Sequence, residues 1–266
     1  MATPYYEKDG ITLLCGDNVA VMGGMESDRV DLVVTSPPYD NLRTYGGHSW
    51  DFEGVAQQLW RLIKPGGVVV WVVADATVNG SETGTSFRQA LRFMEIGFRL
   101  YDTMIYAKSG FAKPFPNRYH QATEFMFVLS KEEPSTFNPI CDKLNSRAGA
   151  KTSSTIREAD GELTLRGIKT ISEFGRRLNW WLIDSARNDI RTGHPAPFPE
   201  ALARDHILSW SNEGDTVLDP FNGSGTTTKM AKHMGRQAIG IEVNADYCEI
   251  AANRLAQGVL AFPEND

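Results

Sequence analysis

The stretch VVTSPPYD (33–40) ends an apolar run on a serine, two prolines and a tyrosine, groups that together could hold an amine. Each proline has a fixed φ and no N–H to donate, and Pro38 also pushes Pro37 into an extended conformation. The corner therefore presents the Ser36 hydroxyl and the Pro37 carbonyl as acceptors, with the flat ring of Tyr39 beside them. These groups suit a planar molecule bearing an NH2 group, such as a nucleobase, whose nitrogen they would position as a nucleophile. The alternative is a strand that simply ends at a Pro-Pro turn.

A second candidate is the glycine turn DPFNGSGTT (219–227), which joins an apolar run to a stretch with helical spacing. Gly223 and Gly225 allow a sharp turn, and the helix N-terminus that follows offers N–H groups to an anion. The turn lacks the Walker lysine, and Thr228 stands where the dinucleotide fingerprint has its third glycine. Glu242 ends the next apolar run, where an acid accepts the ribose hydroxyls of a nucleoside cofactor. A structural turn and a solvated glutamate are the alternative.

Together the two motifs resemble those of the amino-methylating DNA methyltransferases. That family's catalytic motif is Asp/Asn/Ser-Pro-Pro-Tyr/Phe, here SPPY (36–39), and its S-adenosylmethionine motif is Phe-x-Gly-x-Gly, here FNGSG (221–225). The resemblance implies that Ser36, Pro37, Pro38 and Tyr39 are catalytic. It implies cofactor contacts from Asp17, Thr35, His194, Pro195, Asp219, Pro220, Phe221, Asn222, Gly223, Ser224, Gly225, Thr226 and Glu242.

The resemblance also implies the reaction. A base flipped out of duplex DNA would take the methyl group of S-adenosylmethionine directly on its exocyclic nitrogen, without a metal or a covalent intermediate. Thr-Ser-Pro-Pro-Tyr is typical of the cytosine-N4 members, whereas adenine-N6 members favour Asp or Asn before the prolines. The expected target is therefore cytosine N4, with adenine N6 as the alternative. Carbon-5 methylation is excluded because it uses a cysteine that normally follows a proline, and none does here.

Two further interpretations compete with DNA methylation. An RNA or protein methyltransferase shares this fold, and protein-glutamine methylating enzymes carry Asn-Pro-Pro-Tyr. Those enzymes usually have the cofactor motif first, so both the motif order and the serine argue against them. The second is a DNA-binding regulator without activity, and the intact corner and glycine turn argue against it.

The elements that must position these motifs alternate between apolar runs and stretches with helical spacing. The predicted strands are 11–17, 31–36, 68–75, 101–108, 123–131, 215–221 and 238–243. The predicted helices are 52–63, 86–98, 198–211, 226–235 and 245–258. The pattern predicts an α/β fold with a mostly parallel sheet covered on both faces. The resemblance makes this a Rossmann-like, circularly permuted methyltransferase fold with seven strands.

The order of the motifs divides the chain into three parts. Residues 1–131 would form the catalytic half, and 194–266 the cofactor-binding half. Residues 132–193 lose clean periodicity and would form an inserted target recognition region. Its stretch 133–193 has ten basic and eight acidic residues, a net charge of +2 in a chain of −6. Candidate DNA contacts are Arg43, Tyr45, Lys151, Arg157, Arg176, Arg177 and Arg187, each with a solvated surface charge or an ordinary loop residue as the alternative.

Composition places the chain among ordinary globular proteins. The three cysteines and five histidines are scattered in sequence, which argues against a disulfide framework and a metal site. No stretch approaches the roughly 18 apolar residues of a membrane span, and the N-terminus shows no signal peptide. We expect a cytoplasmic protein from a bacterium, archaeon or phage. Its partner would be double-stranded DNA, with or without a cognate restriction endonuclease, and the protein would be a monomer or a homodimer.

Overall fold

The computed structural model describes residues 3–39, 50–111, 116–158, 160–184 and 199–257. The chain forms two compact units. One comprises Met1–Asn138 with Asn179–Asp266, and the other comprises Pro139–Leu178. The strands are β1 Tyr6–Lys8, β2 Ile11–Cys15, β3 Val30–Thr35, β4 Ile63–Val73, β5 Thr77–Val78, β6 Ser81–Glu82, β7 Arg99–Ala107, β8 Thr123–Ser130, β9 Lys143–Leu144, β10 Lys151–Arg157, β11 Leu163–Thr170, β12 Phe174–Gly175, β13 Trp180–Leu182, β14 Thr216–Asp219 and β15 Gln237–Glu242. The helices are α1 Asn18–Gly23, α2 Phe52–Leu62, α3 Thr85–Ile96, α4 Glu200–Trp210, α5 Thr226–His233 and α6 Ala245–Ala256.

The larger unit is built on one sheet, which in the described residues has nine strands in the order β1-β2-β15-β14-β3-β4-β8-β7-β13. The run from β2 to β4 is parallel throughout. Strand β8 is antiparallel to both its neighbours, β4 and β7. The α/β class and the mostly parallel sheet are therefore confirmed.

Two edge strands extend the expected seven to nine. Strand β1 pairs antiparallel with β2, and the turn between them, Asp9-Gly10, has φ of 52° and 76°. An Asp-Gly pair with both φ positive is the two-residue hairpin turn that matches the strand twist. At the other edge β13 pairs parallel with β7. Both additions are three residues long, too short to give a periodic signal in sequence.

The permuted chain order is visible in the sheet. Strands β14 and β15 come late in the chain, yet they lie between β2 and β3, which come from its start. Val217 of β14 is opposite Leu32 of β3, and Leu218 is opposite Val33. Because these strands are parallel, their carboxyl ends meet at the same edge, which is where ligands bind in open α/β sheets.

Helices cover both faces of the sheet. Residues 68–73 of strand β4 are apolar at every position because both of their faces are covered: Val68, Val70 and Val72 face one core, and Val69, Trp71 and Val73 face the other. Helices α4, α5 and α6 supply the first core, and α1, α2 and α3 supply the second. All five predicted helices are present with similar bounds. Helix α1 was not predicted because its six residues are too few for a helical pattern.

The smaller unit is made of short antiparallel pairs. Strand β10 pairs with β11, and β12 pairs with β9. Several of its apolar side chains are exposed, among them Leu163 at 63%, Leu165 at 66% and Ile168 at 71%. The unit is narrower than the expected insertion 132–193, because 132–138 and 179–184 belong to the larger unit.

Two residues illustrate how these flanking stretches are held in the larger unit. The Asn138 side-chain amide donates to the carbonyl of Ser211 over 3.2 Å. Trp181 is 6% exposed and packs beside His206, with ring centroids 4.4 Å apart. None of the helices in the described ranges is long and apolar enough to cross a lipid bilayer.

Candidate active site

The proline corner follows β3 directly, at the carboxyl edge of the sheet. Ser36 and Tyr39 are half-buried there, and Pro37 is buried. The Ser36 Oγ lies 2.8 Å from the Tyr39 hydroxyl oxygen. The Tyr39 hydroxyl in turn donates to Glu124 Oε2 over 2.8 Å. The corner is therefore braced by a carboxylate from β8.

Sequence reasoning missed Glu124 and its partner Lys108. Glu124 pairs with Lys108 Nζ through its other oxygen. Lys108 follows β7, and Glu124 is the second residue of β8, in which residues 126–129 are apolar and buried. A carboxylate at the end of a buried strand was the available signal, since such groups are rarely placed there unpaired.

Thr35 and Asp219 join the corner to the glycine turn. Thr35 is 1% exposed, and its hydroxyl donates to Asp219 Oδ1 over 2.7 Å. The Phe221 N–H donates to the same oxygen over 3.0 Å. Burial raises the pKa of Asp219 to about 6, against the lowering effect of hydrogen bonds from Thr35, Thr227 and the Phe221 N–H. The two predicted motifs are thus in direct contact.

The glycine turn is shaped by packing against its neighbours. Gly225 has φ of +82°, and a Cβ there would lie 2.9 Å from the Ala251 Cβ of α6. Asn222 is buried, and its N–H donates to the Ile241 carbonyl over 2.9 Å. Thr228, at the place of the third glycine, donates to Asn222 Oδ1 over 3.0 Å. Thr228 therefore adds a side-chain hydrogen bond within the turn, which a glycine at this position could not make.

Glu242 ends β15 beside this turn, as the motif spacing predicted. Its Oε2 accepts the Gly223 N–H over 2.8 Å, and its Oε1 accepts the Asn244 N–H over 2.9 Å. Asp17 is exposed and caps α1 by accepting the Ala20 N–H over 2.9 Å.

Three more residues hold the turn from outside the motif. Asn18 donates to the Pro220 carbonyl over 3.2 Å, which ties α1 to the turn. Arg254 of α6 donates to the Ser224 carbonyl over 2.7 Å and pairs with Glu200 at 2.9 Å. The Phe221 ring packs edge-on against Trp50, with centroids 4.9 Å apart. Thr226 is buried at the start of α5.

The predicted DNA-contact residues that the structure describes all belong to the smaller unit. Lys151, Arg157 and Arg176 are exposed on the smaller unit. Arg177 of the same unit is engaged by Asp142, with its Nε 2.9 Å from a carboxylate oxygen. Outside the described residues lie Arg43, Tyr45, Arg187, His194 and Pro195. Within the described ranges, no group of three or more His, Cys, Asp or Glu side chains is placed to hold a metal ion.

The carboxyl edge of the sheet thus presents acceptors from four sources. They are the Ser36 hydroxyl and the carboxylates of Asp17, Asp219 and Glu242. Acceptors of this kind suit a ligand with hydroxyl and amine donors, and the buried Asp219 carboxylate suits a positive charge.

Comparison with known proteins agrees with this geometry. The DNA methylase family N6_N4_Mtase matches residues 30–253. The orphan methyltransferase M.BamHII of Bacillus amyloliquefaciens is 52% identical over 239 residues, covering 87% of this chain and 90% of that protein. The Type II methyltransferase M.HpaI of Haemophilus parainfluenzae is 26% identical, covering 96% of this chain and 77% of that protein.

Solved structures show the same fold. The cytosine-N4-specific PvuII DNA methyltransferase superposes with a TM-score of 0.70 at 22% identity, covering 95% of this chain and 89% of that chain. The DNA modification methylase TTHA0409 of Thermus thermophilus, in complex with S-adenosyl-L-methionine, superposes with a TM-score of 0.62 at 26% identity. That match covers 94% of this chain and 96% of that chain. The chain therefore belongs to the N6/N4 DNA methylase family and is an S-adenosylmethionine-dependent DNA methyltransferase.

Proposed function

We propose that this enzyme methylates the exocyclic N4 of cytosine in duplex DNA. The observation that carries the proposal is the serine at the corner. Its oxygen lies at the carboxyl edge of β3, 2.8 Å from the Tyr39 hydroxyl. The neighbouring Thr35 connects the corner to Asp219 of the cofactor motif. The order Thr-Ser-Pro-Pro-Tyr supports cytosine N4, whereas adenine-N6 members favour Asp or Asn before the prolines.

The acceptors beside the corner fit S-adenosylmethionine. The cofactor supplies an electrophilic methyl group on a sulfonium. We assign Glu242 to the ribose hydroxyls, because its carboxylate accepts hydrogen bonds and it ends β15 beside the glycine turn. We assign Asp17 to the adenine, and the buried carboxylate of Asp219 to the positive methionine end. The residues 220–226 would line the same pocket, and Thr35 would act through Asp219.

At the corner, the target amine would donate its hydrogens to the Ser36 oxygen and the Pro37 carbonyl, while the base lies on the Tyr39 ring. The base must leave the duplex stack to reach these groups. The S–CH3 bond of the sulfonium would break as the N–CH3 bond forms, which leaves the neutral thioether S-adenosylhomocysteine. The nitrogen would become cationic in this transfer, and the two oxygens would stabilise that charge. The nitrogen would then release one proton to solvent. No cysteine nucleophile is needed in this transfer.

We assign DNA recognition to the smaller unit, the compact part of the expected region 132–193. Within 139–178 there are eight basic and five acidic residues, a net charge of +3 in a chain of −6. Lys151, Arg157 and Arg176 are exposed there and suit phosphates or guanine edges. Arg177 is reassigned to holding the unit together through Asp142. A similar orphan methyltransferase supports a role without a cognate endonuclease.

The test is product analysis. Duplex DNA from a host without methyltransferases would be incubated with the purified enzyme and labelled cofactor, digested to nucleosides and examined by mass spectrometry. Ser36→Ala enzyme from the same host serves as the control for carried-over methylation. N4-methylcytosine is the expected product. N6-methyladenine would keep the family and the cofactor but overturn the base assignment. The absence of both products on duplex DNA of varied sequence would overturn the proposal.

A further inference from the structure

A chain of hydrogen bonds leads away from the catalytic serine into the sheet. Ser36 Oγ lies 2.8 Å from the Tyr39 hydroxyl, and the Tyr39 hydroxyl lies 2.8 Å from Glu124 Oε2. Glu124 Oε1 then pairs with Lys108 Nζ. The Glu124 side chain is 13% exposed and that of Lys108 is 29% exposed, so water competes weakly for this pair.

The charges at the far end determine the direction of every bond in the chain. Lys108 only donates, and the ionised Glu124 carboxylate only accepts. The single hydrogen of the Tyr39 hydroxyl is therefore donated to Glu124. Since that hydrogen is used, the bond between Ser36 and Tyr39 has the Ser36 hydroxyl as its donor. The Ser36 oxygen is left with only lone pairs to offer a substrate.

Accepting from the substrate is what the proposed function requires of Ser36. An exocyclic amine brings N–H donors, and a serine whose own hydrogen pointed at the amine would repel them. The carboxylate is itself held in place. Lys108 Nζ lies 5.4 Å from the centre of the Tyr106 ring, and Tyr106 is directly opposite Glu124 across the strands β7 and β8.

We propose that Glu124 is a positioning residue that sets the hydrogen-bond direction of Tyr39 and Ser36, so that the catalytic serine is an obligate acceptor for the target amine. The inference rests on the proposed function, because it gives a reason for the acceptor role. It applies equally to cytosine N4 and adenine N6, since both amines donate.

The test is Glu124→Gln, which keeps the shape of the side chain but reverses the direction of its hydrogen bond with the Tyr39 hydroxyl. Lys108 donates only, so it would take the amide oxygen and turn the amide NH2 toward Tyr39. Tyr39 would then accept from the amide and donate to Ser36, and the serine hydrogen would point at the substrate amine. We expect kcat to fall by at least about tenfold, the loss of one good hydrogen bond, while the KM for S-adenosylmethionine stays the same.

Three further variants separate this effect from a structural one. Glu95→Gln is the matched control, because Glu95 is an exposed helix residue paired with Arg92; its kcat should stay that of the wild type. Lys108→Met combined with Glu124→Gln frees the amide to turn its oxygen toward Tyr39, so activity should recover. In a Tyr39→Phe background the relay is already broken, so Glu124→Gln should cause no further loss.

The outcomes are distinct. The inference would be overturned if kcat is unchanged in Glu124→Gln. It would also be overturned if Glu124→Gln lowers kcat by the same factor in the Tyr39→Phe background as in the wild type. In both cases N4-methylcytosine formation by the wild-type enzyme would leave the proposed function intact. A second readout needs no turnover. The infrared C–O stretch of Tyr39, isolated against Tyr39→Phe, distinguishes a donating from an accepting phenol. We expect the C–O band of Tyr39 to shift in Glu124→Gln. An unshifted band would overturn the inference whatever the substrate of the wild-type enzyme, because this measurement does not depend on turnover.

Discussion

The Thr35 hydroxyl donates a 2.7 Å hydrogen bond to the Asp219 carboxylate, and 184 positions separate the two residues in sequence. The bond joins the last residues of β3 and β14, two neighbouring parallel strands. Since the proline corner begins at the next residue, Ser36, the same bond holds the corner against the glycine turn.

Replacing Thr35 tests this junction. Thr35→Val keeps the shape but leaves the buried Asp219 carboxylate without one donor, so unfolding should become easier by about 1–3 kcal/mol. Urea denaturation measures the change. Thr103→Val is the control because Thr103 is exposed on β7. We expect this substitution to change the free energy of unfolding by less than about 0.5 kcal/mol. Equal effects of the two substitutions would contradict a special role for the junction.

Asp219 should make stability depend on pH. Its pKa is raised from 3.8 to about 6 by burial, so the folded protein binds this proton more readily than the unfolded chain. The resulting stabilisation is present below about pH 4 and is lost as the pH rises to about 6, up to about 3 kcal/mol in total. In Asp219→Asn this decrease of the free energy of unfolding between pH 4 and 6 should disappear. Urea unfolding between pH 4 and 7 measures the free energy of unfolding of both proteins. If Asp219 is not the titrating group, the wild type and Asp219→Asn will show the same dependence on pH.

The glycine turn allows a matched pair of substitutions. Gly225 and Gly214 both have φ of +82°, but only Gly225 has a neighbour, Ala251, within reach of a new Cβ. Gly214→Ala should cost about 1–2 kcal/mol for the left-handed backbone alone. Gly225→Ala should cost about 1–3 kcal/mol more because of overpacking, and Ala251→Gly should relieve that excess. Equal melting temperatures of the two single variants would refute the packing explanation.

DNA affinity should respond to the smaller unit. If Arg157 contacts a phosphate, Arg157→Gln will weaken binding to all sequences alike and reduce the slope of log K against log salt by about 0.9. Arg29→Gln is the control. Arg29 pairs with Glu26 and precedes β3, so it lies at the amino end of that strand, whereas the candidate site lies at the carboxyl end. Fluorescence anisotropy at several salt concentrations measures both, and an unchanged slope in Arg157→Gln would remove it from the interface.

Ser36→Ala should separate catalysis from cofactor binding. Removing one preorganised acceptor from the developing cation should lower kcat by about 100-fold or more. Cofactor affinity measured by calorimetry should stay the same, because the assigned cofactor contacts are carboxylates on other strands. In Glu242→Ala the calorimetric affinity should fall instead. Normal affinity in that variant would disprove the ribose assignment.

Much of this protein was determined locally by its sequence. The Pro-Pro corner, the glycine turn and the alternation of apolar and helical stretches depend on neighbouring residues, so they could be predicted residue by residue. The run 68–75 was expected to be buried on both faces, and β4 has apolar side chains in two cores. The spacing of Gly225 and Glu242 correctly indicated that the acid would lie beside the turn.

Only the tertiary structure decided which distant side chains meet. Glu124 touches Tyr39 because β8 is inserted antiparallel between β4 and β7, and no local pattern encodes that strand order. Arg254 reaches Ser224 because α6 packs against the start of α5. Such contacts depend on the order and register of strands and on helix packing, which arise from burying the whole core at once.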